Sequence, residues 1–371
     1  MPGEATSRFM APRAALRRFW RSARGFWHEP TAWALIGMLA ACVVLQLFVQ
    51  YRLNFWNRDF FNALEARDGH LIWEEARLLL VLAAASVALA IAAVWGRMTF
   101  QRRWRDWLTR SLIDAWLADQ RYQRLGFVNG QRQNPEYRIT EDARLATDAP
   151  IDLAVGLLSA LLAAAAFIVV LWNVGGSLRI HIRGEVLIVP GYLVIASVVY
   201  ATATTLSMAT IGRHMVGVVE NKNQAEADFK YVVARVNTRT TLAVVPDDAS
   251  ILATAQAAVI WQWRRLCGQH MRTTLVSHGN TLLAPVVGLL LCAPNYVSGV
   301  VSLGQVTQSA AAFVAVQGAF NWLVDNYPRL AEWMSSAYRV GILLTALDEL
   351  GEPLPEVVRE LQPGQTDPQP T

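Results

Sequence analysis

Residues 76–95 read ARLLLVLAAASVALAIAAVW, and this stretch decides the class of protein. Arg77 is its one charged residue, and the remainder is apolar or small. A helix that rises 1.5 Å per residue needs roughly 20 residues to cross about 30 Å of hydrocarbon, so the stretch is long enough to span a bilayer. Five further stretches pass the same test, and the six predicted spans are 32–53, 76–95, 151–172, 185–209, 273–294 and 300–324. The sequence therefore predicts an all-α polytopic membrane protein.

Basic residues alternate between the segments that connect these spans. Arginine is frequent before the first span, between the second and third, and between the fourth and fifth, whereas the other loops hold few basic groups. Loops rich in arginine and lysine stay on the cytoplasmic side of a membrane. Both termini are therefore predicted to be cytoplasmic.

The overall composition agrees with a membrane protein. Hydrophobic residues make up 54% of the 371 residues and charged residues only 17%, where a soluble protein carries about a quarter charged. The net charge of +4 comes from the basic connecting segments, and no nucleic-acid-binding module is visible, so no nucleic-acid partner is expected. The three cysteines, Cys42, Cys267 and Cys292, are expected to be small apolar residues and not a disulfide framework or metal site. No metal and no cofactor is predicted.

Three regions follow from these patterns. Residues 1–31 interleave arginines with Leu16, Phe19, Trp20, Phe26 and Trp27, which predicts a basic amphipathic helix at the cytoplasmic face. Residues 32–350 form the predicted six-helix permease domain, and the Pro-rich residues 351–371 are predicted to be a disordered tail.

The long basic segments 96–150 and 210–272 carry apolar residues at spacings of three and four and lack Gly/Pro clusters. We therefore expect the spans to continue into the cytoplasm as long helices that reverse near residues 127–135 and 246–248. Long cytoplasmic extensions after the second and fourth spans resemble the membrane domain of ABC exporters.

Two segments make this resemblance more specific in the first half of the chain. Residues 55–64, FWNRDFFNAL, resemble the aromatic W-N-x-x-F-Y-N-A-L segment of ABC subfamily D and SbmA/BacA-type transporters. Residues 134–142, NPEYRITED, resemble their N-P-D-Q-R-I-x-E-D segment, with Tyr137 in place of the usual glutamine. The family positions matched are Trp56, Asn57, Asn62, Arg138, Glu141 and Asp142.

Two more segments follow in the same order in the second half. Residues 226–229 match E-A-D-F, and residues 302–320 resemble the family's last span, L-G-x-x-x-Q-x-x-x-A-F-x-x-V-Q. The matched positions are Glu226, Asp228, Phe229, Gln308 and Phe313. The resemblance implies a type IV ABC exporter-like transmembrane domain that forms a homodimer in a bacterial inner membrane. It also implies transport of peptides or other bulky amphipathic solutes, or cobalamin-like molecules, with import favoured over export.

The energy source is left with two alternatives. The only lysines, Lys222 and Lys230, are not in a G-x-x-x-x-G-K-[ST] loop, and the residues after Val324 are too few for an ATPase domain. The expectation is a permease that recruits a separate ATPase or one driven by an ion gradient. ATP-driven relatives carry R-E-N-A-E-x-I-A where residues 235–243 read RVNTRTTLA, without either glutamate. This difference favours the proton-driven SbmA/BacA type.

Polar residues inside the spans are candidates for a substrate path. Gln317, Asn321 and Asp325 recur every four residues in the sixth span, and Gln46, Gln50 and Asn54 do so in the first. Such residues normally face the bundle interior or a wet cavity. The alternative is that the amides hydrogen-bond neighbouring helices as packing contacts.

Proton coupling requires a group that can titrate near neutrality. His278 in the fifth span and Asp325 in the sixth are the candidates, although a lone histidine is more often a neutral imidazole bonded to a carbonyl. Glu185 and Asp152 are expected to be interfacial charges, and Glu141 and Asp142 are expected to form structural ion pairs with Arg138 and Arg144. No catalytic motif is present, so an enzyme is not expected.

Overall fold

A computed structural model describes residues 12–128, 135–182, 185–237 and 246–351, which are almost entirely helical. The helices are α1 (Pro12–Ala23), α2 (Pro30–Glu65), α3 (Gly69–Leu117), α4 (Arg121–Val128), α5 (Pro135–Tyr137), α6 (Ala143–Gly175), α7 (Tyr192–Asn237), α8 (Pro246–Val297) and α9 (Leu303–Gly351). Turns of 3-10 helix lie at Phe26–His28 and Ala118–Gln120, and a π turn at Arg138–Asp142 joins α5 to α6. Strands β1 (Ser177–Ile182) and β2 (Glu185–Pro190) complete the described elements.

Five helices of the described chain are long and apolar enough to cross a membrane. They are Pro30–Glu65, Gly69–Leu125, Pro135–Gly175, Tyr192–Val236 and Ala249–Val297. They contain the first, second, third and fifth predicted spans and residues 192–209 of the fourth. The sixth predicted span lies in α9, which is not among the five. Gln305, Gln308 and Gln317 interrupt its alanines and valines and lower its hydropathy. The protein is a multi-pass membrane protein, and passage of α9 through the bilayer stays a prediction.

The fourth predicted span begins too early. Residues 185–190 form β2, which pairs antiparallel with β1 so that Ser177 lies opposite Pro190. Gly191 follows with φ at 60°, a left-handed conformation that favours glycine, and α7 starts at Tyr192. A short run of valine and isoleucine fits a strand as well as a buried helix, so hydropathy alone could not separate the two. The described chain is thus all-α in class, with one short two-stranded hairpin between α6 and α7.

Three helices continue without interruption beyond their apolar spans. α3 runs through the arginine-rich segment over 49 residues, α7 over 46 and α8 over 52. α8 begins at Pro246, where proline is favoured because the first helical residue needs no N–H partner. The other predicted reversal, near residues 127–135, and the tail from residue 352 fall largely or wholly outside the described residues, as do residues 1–11 and 238–245.

The described residues divide into two compact units. The first lies within Met1–Leu45, Val87–Gly156 and Asn326–Thr371, and α1, α3 and the later part of α9 form its core. Phe19 and Phe26 are buried there with Trp104 of α3, and Phe26 stacks on Trp104 with ring centroids 6.1 Å apart. Burying a large apolar side chain is worth about 1.5–3 kcal/mol. The apolar face of α1 is therefore covered by protein. That the exposed arginines of α1 contact the membrane surface stays a prediction.

The second unit lies within Gln46–Ser86 and Leu157–Asp325. Its core contains Phe167, Leu171, Leu193, Phe313 and Val316. At the hairpin end, the Tyr192 hydroxyl donates to the carbonyl of Leu291 at 2.9 Å. The Asn295 amide donates to the carbonyl of Gly175 at 3.4 Å. These polar contacts join α6, α7 and α8.

Candidate functional site

Residues 55–64 form the end of α2 and hold the start of α9. The Asn62 Oδ1 atom accepts the backbone N–H of Gly304 at 3.0 Å. Glu65 Oε2 accepts that of Leu303 at 3.2 Å. The first N–H groups of a helix have no partner within the helix and need acceptors from elsewhere. The aromatic segment and the last predicted span, which resemble the family separately, are thus parts of one contact.

The start of α9 also carries a capping box. Ser302 Oγ accepts the N–H of Gln305 at 3.3 Å, and Gln305 Oε1 accepts the N–H of Ser302 at 2.9 Å. Between them lies Gly304, where a Cβ atom would overlap the carbonyl oxygen of Arg58 and the side chain of Asn62. Glycine is therefore required here because the two helix backbones approach closely.

Trp56 ties the same part of α2 to α3. Its indole Nε1–H donates to the carbonyl of Glu75 at 2.8 Å, and its ring stacks on Phe60 with centroids 5.0 Å apart. Asn57 is half-buried beside it. The motif residues therefore fix the positions of α3 and α9 around the end of α2.

One turn deeper, Asn54 of α2 contacts Gln308 of α9. The Asn54 amide donates to the carbonyl of Gln308 at 2.9 Å, and both side chains are buried. Within the described chain, Asn54 Oδ1 and both amide atoms of Gln308 have no hydrogen-bond partner. Leaving a buried polar group unpaired costs about 1–3 kcal/mol, and internal water commonly completes such groups. Phe313, further along α9, is fully buried, and its ring centroid lies 5.6 Å from that of Tyr200.

The polar stripe of α9 is spread over different surroundings. Gln317 is buried, and its amide donates to the carbonyl of Ser197 at 2.9 Å. Asn321 is half-buried and Asp325 is exposed. The Gln317 contact is the kind that helix packing predicts, and the exposure of Asp325 is the kind that a wet cavity predicts.

The three polar residues of the α2 stripe and His278 also have different surroundings. The Gln46 amide donates to the Ser86 hydroxyl at 2.8 Å, and Gln50 is exposed. Asn54 makes the buried contact with α9 described above. His278 is exposed on α8. These positions place Gln46 and Asn54 in contacts between helices and leave Gln50 and His278 on the surface of the single chain.

The acidic pair at the end of the π turn binds two different arginines. Asp142 is fully buried and accepts two hydrogen bonds from Arg339 of α9, at 2.8 and 2.6 Å. Glu141 accepts from Arg144, and this hydrogen bond lowers the pKa of Glu141 below its usual value. Arg138 is half-buried and close enough to Asp142 to feel its charge. The predicted structural role therefore fits both carboxylates, but the main partner of Asp142 is distant in sequence.

Asp152 of α6 joins three helices. Its side chain is 12% exposed and forms an ion pair with Arg97 at 3.3 Å. It also accepts hydrogen bonds from Gln101 at 2.8 Å and from Arg329. The predicted interfacial charge is thus largely enclosed by basic and amide groups. A desolvated carboxylate needs such partners, since burying a charge without them is costly.

The E-A-D-F segment lies on α7 and faces α8. Glu226 pairs with Lys222 at 3.2 Å, accepts the indole N–H of Trp263 at 3.3 Å, and the Lys222 ammonium lies over the Trp263 ring at 5.1 Å. Asp228 accepts the amide of Gln224 at 2.9 Å, and Phe229 is half-buried. Glu226 therefore connects the two long helices beyond their apolar spans.

Residues 27–240 match the family described as ABC transporter transmembrane region 2. The chain belongs to this family. Its relatives include the inner membrane ABC transporter ATP-binding protein YddA of Escherichia coli (strain K12), 26% identical over 83% of this chain and 56% of the relative. An uncharacterized ABC transporter ATP-binding protein of Haemophilus influenzae is 24% identical over 90% of this chain and 57% of the relative. ABC transporter D family member 2, chloroplastic, of Arabidopsis thaliana is 21% identical over 90% and 46%.

The resemblance to ABC subfamily D and the SbmA/BacA type is thereby confirmed. This chain spans about half the length of the curated relatives it matches.

Sequence reasoning missed the partners that connect the motifs of this ABC transmembrane region. Arg339, Ser197 and Trp263 stand outside every recognised segment, yet each contacts a motif or stripe residue. Each pair is separated by many residues, and no local spacing reveals such contacts. Gly304 carried a usable signal, because small residues in membrane helices allow backbones to approach closely.

Proposed function

We propose that this protein is an inner-membrane transporter that moves peptides or other bulky amphipathic solutes by alternating access as a homodimer. The observation that carries the proposal is the match of residues 27–240 to an ABC transporter transmembrane region. Six spans, with α9 as the last and both termini cytoplasmic, enclose half of an exporter-like pathway, and a two-fold axis would complete it. The cargo class follows from the SbmA/BacA-type resemblance alone, and cobalamin-like molecules belong to the same proposal.

We propose a proton gradient as the energy source. Residues 235–243 lack both glutamates of the segment with which ATP-driven relatives contact an ATPase. A surface that docks no ATPase does not need those carboxylates. The proposed proton carrier is Asp325, with His278 as the other candidate, since both side chains are exposed at the edge of predicted spans.

The proposed substrate path follows Asn321 and Asp325 of α9 and Gln50 of α2. These side chains are exposed or half-buried in the single chain and are therefore free to face a cavity shared by two copies. Gln317, Gln46 and Asn54 line the same faces but hydrogen-bond neighbouring helices. In this proposal the three inner amides hold the helices in place, and the outer polar groups contact the solute.

A second candidate is the membrane subunit of an ATP-driven transporter that works with a separate ATPase. Two of the relatives are named ATP-binding proteins, and all are about twice as long as the matched region. Transport would then require ATP, and the energy would reach the membrane helices through the ends of α7 and α8.

Transport in liposomes tests the two candidates. Purified protein should take up a fluorescent peptide when a pH gradient is imposed without ATP, and a protonophore should abolish the uptake. Uptake that ignores the gradient but appears when an ATPase subunit and ATP are supplied would overturn the proton-driven proposal.

The same assay tests the proton site. We expect Asp325→Asn to flatten the pH dependence of uptake, because an amide does not titrate. Asp106→Asn and His70→Gln are the controls. They change exposed groups on α3, which carries neither candidate residue, and should leave the pH profile of uptake unchanged. A flat profile for His278→Gln with a normal one for Asp325→Asn would move the site to the histidine.

A further inference from the structure

A basic cleft lies between α7 and α8 within the second unit. It encloses about 630 Å³. Its polar lining comes from Arg213, His214 and Asn221 of α7 and from Arg265, Gln269 and Arg272 of α8. The complete lining falls at positions 213, 214, 217, 218 and 221 of α7 and at 265, 268, 269 and 272 of α8. Positions three and four apart share one face of a helix, so one face of each of these antiparallel helices supplies the lining.

The positive charge of the cleft is not neutralised by the described protein. None of the described residues that line it is acidic, and no described carboxylate pairs with Arg213, Arg265 or Arg272. Arg339 in the first unit, by contrast, is paired with Asp142. The Arg265 guanidinium lies over the Trp261 ring at 4.9 Å, which supplies no negative charge. Three guanidinium groups without a carboxylate partner line one space and favour an anion there, since charge-assisted hydrogen bonds are strong.

The cleft is held open by its own residues. Gln269 is 5% exposed, and its amide donates to the carbonyl of Ile211 at 2.5 Å, which fixes the separation of α7 and α8. Gly217 and Gly268 face the opening, and a Cβ atom at either would meet nothing within 4 Å. The spacing of the two helices and the two glycines therefore shape the space.

The depth of the cleft identifies the kind of anion. Arg213 follows the apolar span of α7 by one turn, and Arg272 directly precedes that of α8. On the bilayer side, Leu206 is 60% exposed and Leu275 is 75% exposed. The cleft thus lies at the boundary between charged and apolar surface, where lipid phosphates reside, and basic pockets between helices at this level suit anionic headgroups.

We propose that the cleft binds the headgroup of an anionic phospholipid, with Arg213, Arg265 and Arg272 on the phosphate and the acyl chains along Leu206 and Leu275. Phosphate is also available as a soluble ion, but the apolar surface beside the cleft favours an amphiphile. The site does not depend on the transported solute or on the energy source.

Native mass spectrometry of the full chain tests the site. Protein purified in detergent is titrated with phosphatidylglycerol and, in parallel, with phosphatidylcholine. We expect phosphatidylglycerol to be retained preferentially, and the double variant Arg213→Gln/Arg272→Gln to weaken that binding by roughly tenfold or more. The matched control Arg102→Gln/Arg103→Gln removes two exposed arginines of α3 and should bind as the wild type does.

Two further measurements complete the test. Gly268→Leu fills the cleft without changing its charge, and it should also reduce phosphatidylglycerol binding. Inorganic phosphate should not bind detectably, and at the same concentration as phosphatidylglycerol it should not displace the lipid. Equal retention of both lipids, unchanged binding in both cleft variants, or displacement by inorganic phosphate would each overturn the lipid assignment.

Discussion

Asp142 shows how a single buried charge can join distant parts of this chain. Its carboxylate has no exposure, and Arg339, almost two hundred positions later, supplies two hydrogen bonds to it. The hydroxyls of Ser335 and Ser336 accept from the same guanidinium, which fixes its orientation. Removing one partner of such a pair leaves an uncompensated buried charge, and this is more harmful than removing both.

We therefore expect Arg339→Leu to destabilise the protein by roughly 3 kcal/mol, at the lower end for a buried pair because the arginine side chain is 38% exposed. Arg110→Leu breaks the exposed pair with Asp106 and should cost only about 0.5 kcal/mol. Thermal unfolding in detergent measures both. The double variant Asp142→Leu/Arg339→Leu should recover part of the loss, and a wild-type melting temperature for Arg339→Leu alone would contradict the account.

At the scale of elements, the junction of α2 and α9 depends on one close approach. Gly304 lies against the backbone of Arg58 while Asn62 accepts its N–H. We expect Gly304→Ala to push the helices apart and to cost about 1–3 kcal/mol, as overpacking usually does. Gly318→Ala, in the same helix with open space around it, should instead stabilise by up to about 1 kcal/mol.

Thermal unfolding of these two glycine variants compares them directly. We expect the melting temperature to fall for Gly304→Ala and to rise for Gly318→Ala. Helix propensity favours alanine at both positions, and only the contact with α2 differs. If both substitutions raised the melting temperature, the close approach at Gly304 would not be a constraint on the fold.

At the scale of the whole molecule, the single chain leaves much apolar surface uncovered. Only 6% of the most apolar window of Gly69–Leu125 is buried, and Leu80, Ile91 and Leu290 are exposed. Lipid covers part of such a surface, and the proposed homodimer covers part of the rest. Native mass spectrometry in mild detergent should then give a species of twice the 41.1 kDa chain mass. A monomer that still transports the peptide would contradict a cavity shared by two copies.

Hydropathy, length and charge, which are local properties, were sufficient to determine that this is a multi-pass membrane protein with long helices. Four of the first five predicted spans, and most of the fourth, lie in helices that can cross a bilayer, because an apolar run of about 20 residues has few other stable forms. The ordered motifs also identified the family correctly, since they depend on residue types in sequence and not on contacts.

Only the tertiary structure decided what the polar residues contact. The strand at residues 185–190 replaced the start of a predicted span, because a short apolar run fits a strand as well as a helix and β1 pairs with it in the fold. Asp142 with Arg339, Asn62 with Gly304, and Gln317 with Ser197 were equally hidden. Each joins residues on different helices, and a hydrogen bond depends on a few ångströms of distance that the packing of the helices sets and sequence spacing does not encode.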